Sequence, residues 1–232
     1  MKDILGKALL DYHQGHYTED IVTWTTISEE DVLPLPYLFR TFEDMPKIEQ
    51  HALKLCKGYV LDVGCGSGSH SLWLQNKGLN VKAIDKSKGA ISVAKDRGVI
   101  NAELLPLLEE TGTFDTILLL MNGTGIFGKL SDVPKYLEHL KELLNPGGQI
   151  LLDSSDIAYM YRDDDGGYWH DVQANYYGEL DYFMSYKGEE EIPLTWLYMD
   201  FNTLNIACAS MGLICEKIMD GERYDYLARI IK

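Results

Sequence analysis

Two spacings of apolar residues alternate along this chain. From Tyr59 onward, short apolar runs of strand length are separated by stretches with helical spacing, the order that builds a parallel sheet with covering helices. Val60-Leu61-Asp62-Val63 predicts the first core strand, Leu79 to Ile84 the second, and Asn101 to Leu105 a less regular third. Phe114 to Leu120 is nearly continuous in apolar residues, as a central strand buried on both faces requires. A helix is predicted over Lys86 to Arg97, with Ile91, Val93 and Ala94 inward. Another begins at Ser131, where Val133, Tyr136, Leu137, Leu140, Leu143 and Leu144 repeat at helical spacing until Asn145-Pro146-Gly147-Gly148 stops it. Gln149 to Asp153 predicts a fifth strand, and the chain closes with a helix over Phe201 to Met211 and strands over Leu213 to Met219 and Tyr224 to Ile231.

The flanks are less regular. Residues 3–14 predict a helix with Ile4, Leu5, Ala8, Leu9 and Tyr12 on one face. An irregular stretch with Tyr17 and Trp24 follows, and Pro34 and Pro36 favour an extended segment. Thr41-Phe42-Glu43-Asp44 resembles a capping box opening a helix that runs to about Cys56, with Gly58 as its stop. Residues 156–199 carry a dense set of aromatics, among them Tyr182, Phe183, Trp196 and Tyr198, and alternate as a β-hairpin around the charged turn at 187–191. The acidic run Asp163-Asp164-Asp165 lacks the distal glutamate of a calcium loop and is expected to be a solvated turn.

Composition narrows the options. At 232 residues, 46% hydrophobic and 25% charged, the chain suits one well-cored domain with embellishments. The expected division is a single domain over 1–232, with residues 1–42 as an N-terminal lid and 156–199 as an insertion. No run of sequence reaches membrane-spanning length, the first residues do not form a signal peptide, and Cys56, Cys65, Cys208 and Cys215 show no paired spacing. A cytoplasmic protein with reduced cysteines is expected. The net charge of −15 argues against a nucleic-acid partner, whose phosphates call for Lys and Arg. No membrane partner is expected, and a monomer and a homodimer remain equally open. His13 and His16 stand three apart but lack a third ligand at a recognisable spacing, so no metal site is expected.

The chemistry concentrates where the first strand ends. After Asp62, Gly64, Gly66 and Gly68 alternate with Cys65 and Ser67, and an amphipathic run follows that Ser67 or Ser69 can cap. A tight glycine loop between a strand and a helix N-terminus is a nucleotide cradle. The next strand ends in Asp85, about 20 residues on, the spacing that brings a carboxylate to a ribose hydroxyl pair. The dinucleotide fingerprint would want glycine where Ser69 stands. The stretch VLDVGCGSGSHSLWL instead resembles the first motif of the class I S-adenosylmethionine-dependent methyltransferases, and FDTILLLMN and LKELLNPGGQILLDSSD resemble later segments of that superfamily.

The resemblance implies an α/β fold: a Rossmann-like three-layer sandwich on a mostly parallel seven-stranded sheet with an antiparallel last strand, plus an N-terminal helical lid and an inserted β-hairpin. It implies S-adenosylmethionine as cofactor, S-adenosylhomocysteine as product, and a small-molecule acceptor shaped by the aromatic insertion. Asp62, Gly64, Cys65, Gly66, Ser67, Gly68 and His70 are then expected around the methionine and ribose, with Asp85 at the ribose hydroxyls and Lys86 also at the cofactor. Met121, Asn122 and Gly123, after the fourth strand, would meet cofactor or substrate. Leu105 and Pro106 stand where many relatives carry an acid for the adenine amino group, so backbone or apolar contacts must hold the ring. Tyr37 and Arg40 would face the methionine half, Arg40 pairing with its carboxylate. For an oxygen acceptor, His170 is the first candidate base, with Asp153 or Tyr176 behind it; a nitrogen acceptor can dispense with one. The alternatives are a non-catalytic S-adenosylmethionine-binding module and an NAD-dependent oxidoreductase.

Overall fold

The computed structural model describes residues 2–162, 167 and 175–232. The N-terminal arm holds α1 (Ile4–His13), a hairpin of β1 (Ile21–Thr25) and β2 (Ser28–Leu33), the single turn α2 (Leu35–Leu38) and α3 (Lys47–Leu55). The alternating core follows: β3 (Tyr59–Val63), α4 (Ser69–Asn76), β4 (Asn80–Asp85), α5 (Lys88–Asp96), β5 (Ala102–Leu104), β6 (Phe114–Leu119), α6 (Val133–Glu142) and β7 (Leu144–Ser155). The insertion supplies β8 (Glu179–Tyr186), β9 (Glu189–Glu190) and β10 (Leu194–Leu197) before α7 (Phe201–Ser210), β11 (Ile214–Asp220) and β12 (Asp225–Ile231).

Among the described residues these strands form two sheets. The larger has the order β11-β12-β7-β6-β3-β4-β5, parallel from β7 to β5 and antiparallel where β12 meets β7 and β11. This is the mostly parallel Rossmann-like sheet that the resemblance implies. Leu61, Ile117, Leu119, Ile150 and Leu152 face one helical layer, with Leu137 and Leu140 of α6 and Leu204 of α7; Val60, Leu118, Leu151 and Leu227 face the other, with Ala52 and Leu53 of α3 and Leu74 of α4. Alternate residues point to opposite faces of each strand, and helices cover both, so nearly every position of β6 is buried. The strand order reverses between β3 and β6, which opens a crevice at their carboxyl ends.

The smaller sheet, β10-β8-β1-β2 with β9 on β8, is antiparallel and joins the two ends of the chain. The stretch around Trp24, expected to be irregular, is therefore a strand: Trp24 pairs with Phe183 of β8 and the rings stack 5.3 Å apart. Its pairing partner lies in the insertion, far away in sequence. The segment expected to be extended at Pro34 and Pro36 is extended only at Pro34; Pro36 sits in the first turn of α2, where a missing N–H costs nothing. Thr41 does not open a long helix. Its hydroxyl donates to Asp44 at 2.8 Å over a 3₁₀ turn, and Pro46 holds Met45 extended, so α3 starts afresh at Lys47. The acidic run at 163–165 lies outside the described residues.

Helix α1 is clamped onto the core at one close contact. Asp3 caps it and also accepts from the Gly89 N–H at 2.9 Å. A Cβ on Gly89 would fall 2.4 Å from the Gly6 carbonyl oxygen. Glu191 grips the same end from the insertion, accepting from the N–H groups of Lys2 at 2.8 Å and Ile4 at 3.1 Å. Gly89→Val is expected to lift α1 from α5 and cost about 1–3 kcal/mol of unfolding free energy, the usual penalty for forcing extra methyl groups into a packed contact; urea denaturation alongside the parent protein measures it.

Candidate active site

The crevice between the two sheets is a cavity of about 530 Å³, within the range of small-ligand sites. Its floor is the carboxyl edge of the large sheet and its roof is the small one. Asp62, Gly64, Cys65, Gly66, Ser67 and His70 line it from β3 and the glycine loop, Asp85 and Lys86 from β4, Leu105 and Pro106 after β5, and Met121, Asn122 and Gly123 after β6. Of the residues expected around a cofactor, Gly68 and Tyr37 do not line it. Gly68 is the N-cap of α4 at φ +85°, and a Cβ there would meet Val99 Cγ2 at 2.7 Å, so its role is to seat the helix. Neither expected serine caps α4: Ser67 Oγ bonds the Leu38 carbonyl and accepts from Arg97 Nη1 at 2.7 Å, tying the glycine loop to α2 and α5.

Asp85 straps the loop. Its Oδ2 accepts from the Gly66 N–H at 2.9 Å and its Oδ1 from the Ser87 N–H at 2.8 Å. Burial raises its carboxyl above the usual range, against the pull of those two N–H groups. Asp62 is also raised by burial, while the nearby His70 and the Ser71 hydroxyl, which donates to Oδ2 at 2.5 Å, act in the opposite direction. Both carboxylates keep lone pairs for a further donor.

Arg40 reaches the cavity wall as a buried side chain. Its Nη2 pairs with Glu49, its Nη1 donates to the Tyr37 carbonyl at 2.7 Å, and its Nε has no hydrogen-bond partner. Tyr37 does not line the cavity; its ring lies under the Arg40 guanidinium, 4.0 Å away, and supports it. Glu49 also takes His70 Nε2 at 2.8 Å. Burial would raise the Glu49 carboxyl, but His70 and Arg40 together hold it below the usual range. Glu49 had no distinguishing signal in the sequence: it reads as one polar position beside the apolar stripe of α3.

The candidate bases lie elsewhere. His170 falls outside the described residues. The Tyr176 hydroxyl donates to Asp200 at 2.6 Å and Tyr176 does not line the cavity. Asp153 is buried below the floor, away from the cavity lining. Its Oδ2 accepts from Met121 N–H at 3.1 Å and its Oδ1 from Gly123 N–H at 3.0 Å. Met121 and Asn122 are both left-handed, at φ +66° and +60°, an unusual conformation for side-chain-bearing residues, and Asp153 holds them in it. The Asn122 side chain is turned to the protein: it donates to the Leu197 carbonyl at 3.2 Å and accepts from Ser154 at 3.0 Å.

The roof contributes side chains that the sequence placed in the insertion and others that it did not place at the site. Tyr182, Met184, Trp196 and Tyr198 line the cavity, as do Leu5, Leu9 and Leu33 of the N-terminal arm. A Cβ on Gly125 would fall 2.0 Å from the Trp196 indole, so the glycine lets the ring lie directly on the loop after β6. No group of three or more potential ligands suited to a metal occurs among the described residues, and no helix among them is long and apolar enough to cross a membrane.

Residues 38–189 match the family described as methyltransferase domain, well over half of the chain, and the chain belongs to this family as a class I S-adenosylmethionine-dependent methyltransferase. Among solved structures, a SAM-dependent methyltransferase from Bacteroides fragilis in complex with S-adenosyl-L-homocysteine is 43% identical, with a TM-score of 0.93 over 99% of this chain and 94% of that one. Among curated proteins, malonyl-[acyl-carrier protein] O-methyltransferase of Serratia marcescens is 30% identical over 115 residues, 50% of this chain and 44% of that protein. A tRNA U34 carboxymethyltransferase of Pseudoalteromonas atlantica is 31% identical over 119 residues, 47% of this chain and 35% of its own length. The matched stretch is thus under half of each of these two curated relatives. Membership decides against the nicotinamide-dependent alternative.

Asp153 gives this site a signature in stability. Burial, with the charge of Glu49 adding to it, pushes its carboxyl up to about 7 against the two backbone N–H groups and His70. The folded state therefore binds a proton more tightly than the unfolded chain, whose aspartate titrates at about 4. The contribution is full below that value and is lost as pH rises to about 7, at no more than about 1.4 kcal/mol per pH unit. Urea denaturation between pH 5 and pH 8 is expected to show this decline in the parent and a flatter profile in Asp153→Asn.

Proposed function

We propose that this methyltransferase acts on a small-molecule acceptor held beneath the roof sheet, with the cofactor lying along the floor. The observation that carries the proposal is the wall itself: the acceptor side of the cavity is built from Trp196, Tyr198, Tyr182 and Met184 and closed by residues of the N-terminal arm. A mostly apolar crevice of this size suits a small organic molecule. The net charge of −15 works against a polyanion such as tRNA at the mouth.

The residues on the floor fit S-adenosylmethionine. Gly64 and Gly66 offer bare backbone, and a Cβ on Gly66 would meet nothing within 4 Å, so the loop leaves open space on its cavity side. On this reading Asp85 holds the ribose hydroxyls, and Leu105 and Pro106 sandwich the adenine in the absence of an acid at that position. Asp62 takes the amino group and the Arg40 guanidinium the carboxylate, both from the cavity wall. Gly68 and Tyr37 act one step behind, seating α4 and Arg40. The bound cofactor supplies a methyl group on a sulfonium, already activated for attack. What remains for the protein is to align the acceptor with that methyl and to exclude water, tasks that fall to the roof sheet and to the loop at Met121 and Asn122 braced by Asp153. Asp153 and Tyr176 act as braces of that loop and of the α7 start in place of bases.

Calorimetric titration with S-adenosylhomocysteine is expected to show saturable binding that Asp85→Ala weakens by about tenfold or more, the scale of a lost charge-assisted bidentate contact. Trp196→Ala is expected to bind S-adenosylhomocysteine like the parent while losing methyl transfer to any small phenol, amine or acid found in a screen with labelled cofactor. Transfer to bulk tRNA or to a carrier protein, with none to small molecules, would overturn the acceptor assignment.

A further inference from the structure

We infer that Glu49 is a positioning residue for the amino-acid end of the cofactor, holding Arg40 and His70 together as one clamp at the cavity wall. This rests on the assignment of Arg40 to the methionine carboxylate proposed above. Glu49 does not itself line the cavity, whereas both its partners do. The three come from different elements: Arg40 from the link after α2, Glu49 from α3 and His70 from the first turn of α4. All three are buried, at 8%, 3% and 9% of full exposure. One carboxylate oxygen, Glu49 Oε2, takes both the guanidinium Nη2 and the imidazole Nε2.

The arrangement leaves a specific opening. A guanidinium has five N–H donors in a fixed plane. Here Nη2 is committed to Glu49, Nη1 reaches the Tyr37 carbonyl and the face of the group is covered by the Tyr37 ring, while Nε has no partner. A buried donor without an acceptor is costly, and it is satisfied if an anion arrives at the cavity wall. Glu49 fixes the plane of the guanidinium at the cavity wall, because it holds the Nη2 corner. It also fixes the ring of His70, on the helix that the glycine loop opens, so the loop and the Arg40 wall are set relative to each other through a single carboxylate. The Glu49 side chain thereby couples the N-terminal arm to the cofactor loop without touching the cofactor.

The consequence is selective. Losing this carboxylate disturbs the amino-acid end and leaves the nucleoside end, held by Asp85 and the apolar residues after β5, as it was. Two ligands separate the ends: S-adenosylhomocysteine carries both, and methylthioadenosine lacks the amino and carboxylate groups. In calorimetry, Glu49→Gln is expected to weaken S-adenosylhomocysteine by about tenfold while methylthioadenosine changes by less than about twofold. Glu49→Asp keeps the counter-charge for Arg40 but is one methylene short of spanning both partners, so it should fold where the glutamine variant does not and show the same selectivity at smaller amplitude. Arg40→Ala should mimic Glu49→Gln. Unchanged S-adenosylhomocysteine affinity in the Glu49 variants would overturn the inference, and so would equal losses for both ligands, which would mark Glu49 as a purely structural residue. If Arg40→Ala leaves S-adenosylhomocysteine binding intact, it is the assignment of Arg40 to the methionine carboxylate that falls, and the inference with it; if the parent protein fails to bind S-adenosylhomocysteine, the cofactor reading falls first.

Discussion

The pairing of β1 with β8 is the contact on which the shape of this molecule depends. It joins Val22 to Ser185 and Trp24 to Phe183, residues some hundred and sixty positions apart, and so makes one sheet from the N-terminal arm and the late insertion. Without that pairing the carboxyl edge of the large sheet would be an open groove. With it, the groove has a roof, and the alternation along β8 puts Tyr182 and Met184 toward the cavity while Phe183 stacks on Trp24. Asp3, Glu191 and the close Gly6–Gly89 contact secure the arm that this roof needs.

Beneath the roof, the site is held by carboxylates acting on backbone. Asp85 fixes the glycine loop through the Gly66 N–H, Asp153 fixes the left-handed Met121–Asn122 turn, and Glu191 fixes the chain start. Buried carboxylates in such roles are expensive to keep charged, which is why burial lifts Asp62, Asp85 and Asp153. Glu49 moves in the other direction because it is answered by two cationic or hydrogen-bonding partners.

The roof and the acidic surface together narrow the partners. A methyl group on a sulfonium asks little of the protein beyond alignment and dryness. The described residues offer an aromatic wall, a rigid loop and a paired arginine, and place neither Asp153 nor Tyr176 in the cavity. On the reading proposed above, the acceptor is selected by shape and contact under Trp196, whose ring rests on Gly125.

The sequence by itself determined the core of this protein. Local signals suffice there: apolar runs of strand length, helical spacing between them, three alternating glycines after Asp62 and an acid ending the next strand are all read within short windows; Gly64, Gly66 and Asp85 line the floor of the cavity, while Gly68 seats α4. The cofactor class was legible for the same reason, since a βαβ unit is local in the chain. What only the tertiary structure decided is non-local. That the stretch around Trp24 is a strand depends on a partner in the insertion, that Ser67 ties down α2 and α5 and does not cap α4 depends on Leu38 and Arg97, and that Asp153 braces a turn depends on how β7 abuts β6. Glu49 is the clearest case. A single glutamate on a short helix looks like a solvated position, and it became part of the site only because packing carried Arg40 and His70 to the same oxygen.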